Sequence, residues 1–294
     1  MKFHPRRILV PVDLEESSEV LLRYALQFAS HFGAKITVVH ADPTPGYTDY
    51  PYFTTQQLEQ RWEEELSERA HTLEELIARS GNPVGVDWEV LRGFVIPVLL
   101  ERIADGFDLV ILGTHGRRGL SRIVFGSVAA QILRLADVPV LTIRAGVTEL
   151  VTRRVLCPVD LGLASAEALR IAAGIAERFD ATLIVLQLVE PGELTEVGAE
   201  KDRLQRWVSQ HCGAATDLRV LVRGKEAAEQ VLHYAKEQKI ELIVLGSPRS
   251  AGEVPSMENA AAEIVRKSEC PVLTVHPSWD TGIAEASRAI AKKA

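Results

Sequence analysis

Arg7-Ile-Leu-Val-Pro-Val-Asp13, an apolar run closed by a carboxylate, returns as Arg154-Val-Leu-Cys-Pro-Val-Asp160. A second pair, Val138-Pro-Val-Leu-Thr-Ile143 and Cys270-Pro-Val-Leu-Thr-Val275, recurs near the end of each half. Between them Leu91-Arg92-Gly93 matches Val222-Arg223-Gly224, and Val110-Ile-Leu-Gly113 matches Ile243-Val-Leu-Gly246. The offset falls from 147 residues (Arg7 to Arg154) to 132 (Val138 to Cys270), so the second copy is shorter, mainly opposite Pro43–Gln60. A period this long marks a duplicated domain rather than a solenoid. The 294 residues give room for two cores of about 145 residues each. The expected divisions are 1–147, 152–277, and an Ala- and Lys-rich tail at 278–294 that is either a marginal helix or disordered.

Within each copy strand and helix patterns alternate. In the first, Ile8–Val12 is a strand. Leu21, Ala25, Phe28, Ala29 and Phe32 then fall at helical spacing, with Ser17 or Ser18 as the N-cap. Ile36–Val39 is the second strand, and a long helix follows from about Thr55 to Ser80, stopped by Gly81. Val86–Leu91, a helix with Pro97 in its first turn, Asp108–Gly113, a helix over Ser127–Ala136 and Pro139–Arg144 complete the unit. Runs such as Leu-Val-Ile-Leu, apolar at every position, belong to strands covered on both faces. The expected fold is therefore α/β, two tandem five-stranded parallel doubly wound sheets of Rossmann-like type. Such sheets bind ligands beyond the carboxyl ends of their strands, where the strand order reverses.

Composition narrows the function. A net charge of −7 argues against general nucleic-acid binding, which needs Lys and Arg to neutralise phosphates. No apolar run reaches the roughly 18–20 residues of a membrane span, and the amino-terminal residues carry no signal-peptide pattern, so a cytoplasmic location is expected. Cys157, Cys212 and Cys270 lie far apart with no C-x-x-C pair, and Cys157 and Cys270 occupy positions equivalent to Val10 and Val138, which points to core packing.

The chemistry lies in Gly113-Thr-His-Gly116, nine residues, then Gly126-Ser127. Gly113 closes a strand on the binding edge, and Gly126-Ser127 opens a helix whose first N–H groups lack intrahelical partners and carry the positive end of the dipole. Glycine lets phosphate approach the backbone. Ser127 adds a hydroxyl, and Arg117 and Arg118 bring charge to the loop. The alternative is that these glycines serve only turns and close packing. Neither a Walker A loop nor the G-x-G-x-x-G fingerprint is present.

The segment Gly113–Ser127 resembles the G-x₂-G-x₉-G-[ST] signature of ATP-binding universal stress proteins. Ile8–Asp13 is similar to that family's first strand, and Val138–Ile143 to its last. The resemblance covers both repeats nearly end to end and implies a tandem universal stress protein. It implies that Asp13 contacts the ribose hydroxyls and that Pro11 and Val12 line the nucleoside cleft. Backbone at Val39 and His40 would read the adenine edge, while Gly113, Gly116, Arg117, Gly126, Ser127 and Val128 hold the phosphates. For Asp13 the alternative is a helix-capping or turn carboxylate. The implied ligand is ATP, or AMP or ADP, with Mg²⁺, held without rapid turnover. A slow ATPase or autophosphorylating activity is the alternative, with Asp13 and His115 as the only candidate bases.

The second copy departs from this pattern. Gly126 is opposite Glu258 and Ser127 opposite Asn259, while Ser247-Pro248-Arg249 follows Gly246, so that Gly116 is opposite an arginine. A carboxylate beside a triphosphate selects against it, and this copy is expected not to bind ATP although Asp160 remains. The resemblance further implies edge-to-edge pairing of the last strands, here within one chain, Pro139–Ile143 against Pro271–Val275, making an intrachain pseudo-dimer. A homodimer of such chains is a further expectation. The aromatic segment Pro43–Thr54 is read either as a flap over the cleft or as a packed surface loop.

Overall fold

The structure is a computed structural model that describes residues 3–43, 54–81, 85–114, 126–144, 146–189, 197–212, 217–222, 224, 226–247 and 256–276. The expectations for His115, Gly116, Arg117 and Arg118, for Pro248 and Arg249, for the aromatic segment at 44–53 and for the tail from 277 lie outside the described residues. So do those for the side chains of Glu258 and Asn259.

The first repeat runs β1 (Arg7–Val12), α1 (Ser17–Phe32), β2 (Lys35–Asp42), α2 (Thr55–Arg79), β3 (Val86–Arg92), α3 (Val95–Ala104), β4 (Leu109–Gly113), α4 (Ser127–Leu135) and β5 (Val140–Ile143). The second runs β6 (Arg154–Val159), α5 (Leu163–Phe179), β7 (Thr182–Val189), α6 (Val197–His211), β8 (Asp217–Val222), α7 (Ala227–Glu237), β9 (Leu242–Gly246), α8 (Ser256–Lys267) and β10 (Val272–Val275). The alternation expected from the apolar periodicities is present in both. The start of α1 differs in detail. Its N-cap is Glu16 with no side-chain cap, because Ser18, expected as a cap, lies in the first turn and gives its hydroxyl to Asp13.

The sheets of the two repeats join edge to edge through their last strands, as the expected pairing of Pro139–Ile143 with Pro271–Val275 implies. The ten described strands form a single sheet in the order β3-β2-β1-β4-β5-β10-β9-β6-β7-β8. Within each repeat all pairings are parallel; at the seam β5 and β10 run antiparallel, with Leu273 opposite Leu141 and Thr142 opposite Val272. The Thr142 hydroxyl also donates to the Val272 carbonyl at 3.0 Å. The order turns at β1 and β4, so each repeat has its switch point between those strands or their equivalents β6 and β9.

Alternating side chains divide the core by face. On one face α1, α2, α5 and α6 share a continuous cluster that crosses the seam through Leu141, Ile143, Leu273 and Val275. On the other, α3 and α4 cover one cluster and α7 and α8 another, with Leu133 packed against both. Phe179 at the end of α5 lies against Phe28, His31 and Phe32 of α1, the His31 ring stacked on it with centroids 4.4 Å apart. Cys157 sits in the shared core, where burial pushes its thiol well above the usual range. The linker is tied down as well, for the N–H of Leu150 donates to the side chain of Gln27 at 3.1 Å.

Leu141 and Leu273 are both fully buried and face each other at the seam. Leu273→Ala should lower unfolding free energy by about 2–5 kcal/mol, the range for truncating a core leucine. Both repeats should unfold in the same urea transition. A loss below about 1 kcal/mol, or separate transitions for the two repeats, would contradict a shared core.

Candidate functional site

A cleft of about 400 Å³ opens beyond the carboxyl ends of β1 and β4, at the switch point of the first repeat. Its floor is Pro11, Val12 and Asp13 from β1 and Leu112, Gly113 and Thr114 from β4. One wall is the start of α1, the opposite wall the start of α4, and Val95 and Leu99 of α3 close the apolar end. Of the residues singled out from the sequence, Pro11, Val12, Asp13, His40, Gly113, Gly126, Ser127 and Val128 line this one cleft. Val39 does not. It is fully buried in the cluster beneath α3 and α4, because β2 continues to Asp42 and brings His40 and Ala41 to the rim instead.

Asp13 has a measurable local task. Its Oδ1 accepts from the Glu15 N–H at 3.1 Å and from the Ser18 hydroxyl at 2.8 Å, while its Oδ2 has no hydrogen bond among the described residues. The turn thus uses one oxygen and leaves the other to the cleft that the residue lines. Leu14, next in sequence, has φ of 64°, a left-handed conformation that a leucine adopts only when packing holds it there. Leu14 packs against the shared core, which supplies that hold. The same turn recurs at Asp160, with Leu161 also at 64°.

The opening of α4 is built differently. Gly126 is its N-cap, with no side-chain cap, and its own N–H donates to the Thr114 carbonyl at 2.9 Å. The carbonyl of Gly126 accepts the first helical bond, from Ala130. The N–H groups without a helical acceptor are therefore those of Ser127, Val128 and Ala129, all lining the cleft. Gly126 contributes a close backbone rather than a donor. Three uncapped N–H groups and a hydroxyl at a helix amino end form an anion site by geometry and partial charge.

The equivalent strand end in the second repeat is packed more tightly. A Cβ on Gly246 would lie 2.4 Å from the carbonyl carbon and oxygen of Ala164 and 2.7 Å from the nitrogen of Ser165. On Gly113 it would meet only Cδ2 of Leu21, at 3.8 Å. Helix α5 begins at Leu163, opposite Glu16 and one residue earlier than α1, so its first turn presses on the end of β9. Gln187 replaces His40 there and is buried, its Oε1 without a hydrogen-bond partner among the described residues.

The universal stress protein family model matches residues 4–144 and again 152–276, and the chain belongs to that family. A universal stress protein of Mycolicibacterium smegmatis is 22% identical over 292 residues, spanning 92% of this chain and 97% of its own. One from Thermus aquaticus is 28% identical over 144 residues, 47% of this chain and 98% of its own length. The crystal structure of a universal stress protein from Archaeoglobus fulgidus superposes with a TM-score of 0.71 at 20% identity, covering 94% of this chain and all of that one. The last likeness concerns the fold, including its tandem arrangement.

Residues the sequence did not single out also line the cleft: Ala41, Thr114, Val95, Leu99 and Arg144. The apolar ones follow from the course of α3. Arg144 had a signal, as the first cation after the last strand. Among the described residues no group of three or more His, Cys, Asp or Glu is placed to hold a metal ion, and no helix is long and apolar enough to cross a membrane.

Two outcomes follow from these contacts. Asp13→Asn keeps an acceptor for the turn and should change stability by less than about 0.5 kcal/mol, whereas Asp13→Ala should cost about 1 kcal/mol in urea denaturation. Gly246→Ala should cost about 1–3 kcal/mol, as overpacking does, while Gly113→Ala has room and should cost under about 1. Equal losses at the two glycines would contradict the tighter packing at Gly246.

Proposed function

We propose that the first repeat binds an adenine nucleotide, ATP in the first instance, and that the chain acts as a stress-response binding or regulatory protein. The observation that carries this reading is the uncapped start of α4 facing Asp13 across a single open cleft. The triphosphate lies on the N–H groups of Ser127, Val128 and Ala129, the ribose hydroxyls meet the second oxygen of Asp13, and the base lies toward His40, Ala41 and Leu99. Mg²⁺ enters with the phosphates, with the Ser127 hydroxyl as its protein contact. The apolar base end and the polar phosphate end suit the two ends of such a ligand.

The second repeat acts as a companion rather than a second site, a reading supported by the close packing of Ala164 and Ser165 on Gly246 and by the carboxylate Glu258 opposite Gly126. An enzymatic role has less support. Among the described residues lining the cleft, Asp13 is committed to its turn through one oxygen and His40 gives Nδ1 to the Val12 carbonyl at 2.9 Å. Neither is arranged as a base toward an attacking water.

Calorimetric titration of the full chain with ATP, ADP and AMP, with and without Mg²⁺, tests the assignment. One ATP per chain is expected. Gly126→Glu, which copies the second repeat into the first, should abolish binding while leaving the circular dichroism and melting temperature close to those of the parent. Two ATP per chain would refute the companion role, and undiminished affinity in Gly126→Glu would refute the cleft assignment.

A further inference from the structure

Arg144 belongs to both halves of the molecule. It follows β5 directly and lines the cleft beside Gly113, Thr114 and Gly126. Its place there is fixed by the backbone: Thr114 N–H donates to the Ile143 carbonyl at 3.0 Å, and Gly126 N–H to the Thr114 carbonyl at 2.9 Å. These two bonds set the end of β5, the end of β4 and the start of α4 abreast. From that position the half-buried guanidinium reaches across the seam, and Nη1 donates to the carbonyl of Ser268 at 3.4 Å. Ser268 follows the last turn of α8 in the second repeat.

The contact is long for an N–H···O bond, which is ordinarily 2.7–3.2 Å. A guanidinium has five donors in a planar fork, so the Ser268 carbonyl leaves most of them unused among the described residues. A phosphate oxygen is the stronger acceptor for the remainder, because the bond is charge-assisted on both sides. The equivalent residue in the second repeat, His276, makes the reciprocal contact. Its Nε2 is 2.8 Å from the Leu133 carbonyl in the last turn of α4, and its Nδ1 3.0 Å from the Ser247 carbonyl. Helix α4 is thus held by the second repeat at one end and faces the cleft at the other.

We propose that Arg144 is a phosphate-counting residue that reports occupancy of the first cleft to the second repeat. It adds a charge-assisted contact to the β- and γ-phosphates and, in turning toward them, changes the bond it makes to the end of α8. This rests on the nucleotide reading above and deepens it by assigning the regulation of that site. AMP, with a single phosphate nearer the ribose, does not engage Arg144. The second repeat therefore distinguishes a triphosphate from a monophosphate without binding either.

The test compares the full-length parent with Arg144→Gln and Arg144→Lys, using ATP and AMP in calorimetry and hydrogen exchange over residues 256–276. Arg144→Gln should weaken ATP about ten- to a hundredfold, the range for losing one charged hydrogen bond, and change AMP less than about twofold. Arg144→Lys should fall between, keeping the charge and losing the fork. In the parent, ATP but not AMP should change exchange at the end of α8, and this response should be absent in Arg144→Gln. Melting without ligand shows whether the variants are folded. Parent-like ATP affinity in Arg144→Gln, equal losses for ATP and AMP, or the same exchange response in parent and variant would overturn the proposal. Failure of the parent to bind any adenine nucleotide would refute the underlying reading, and this proposal with it.

Discussion

The antiparallel pairing of β5 with β10 is the constraint on which the remaining organisation depends. Each strand is short and apolar at every position, Val140–Ile143 and Val272–Val275, with all eight residues buried. Left as the edge of a parallel sheet, either would present unpaired backbone groups beside exposed aliphatic side chains, a template for association with other chains. Pairing them satisfies those groups and removes both edges at once. It also fixes polarity. Two parallel sheets joined antiparallel point their carboxyl ends in opposite directions, so the first cleft lies beside the amino end of the second repeat. The end of α8 and the residue after β5 meet for that reason.

The same polarity explains the unequal faces of the sheet. On the α1/α5 side the helices approach across the seam, and Phe179 fits among Phe28, His31 and Phe32, with Arg178 donating to the His31 carbonyl. One core results, shared by both repeats. On the other side, among the described residues, α4 and α8 are joined through Leu133 and through two polar clamps, Arg144 to Ser268 and His276 to Leu133. Each clamp places a basic side chain at a helix carboxyl end, where carbonyls lack partners and the dipole is negative.

Most of the architecture was legible because it is written in period and repetition. Apolar runs such as Leu109–Leu112 specify strands covered on both faces, the spacing of Leu21, Ala25, Phe28 and Phe32 specifies α1, and the duplicated Pro-Val-Leu-Thr segment specifies the seam. Asp13, Gly113, Gly126 and Ser127 were legible as parts of one site because each sits at a strand end or helix start. What escaped depended on geometry between distant segments. Ala41 escaped because the rim residues of β2 depend on how far the strand runs, and in a strand one step turns a side chain to the other face. Arg144 follows a strand like any solvated cation, and its second partner exists only once the repeats have paired.

Gly246 shows how a sequence feature survives while its physical reason changes. Gly113 and Gly246 occupy equivalent positions, each closing the fourth strand of its repeat, and a reading of the sequence alone takes the second as a relic of the first. The structure gives them different tasks. At 113 the absent side chain leaves an opening bordered by Leu21; at 246 it admits the backbone of Ala164 and Ser165 to a distance no Cβ tolerates. Helix α5 starts one residue earlier than α1 and brings its first turn against that strand end, independently of any charge that Glu258 brings to α8. A glycine is therefore required at 246 by packing alone, and its presence there is not a mark of a phosphate site.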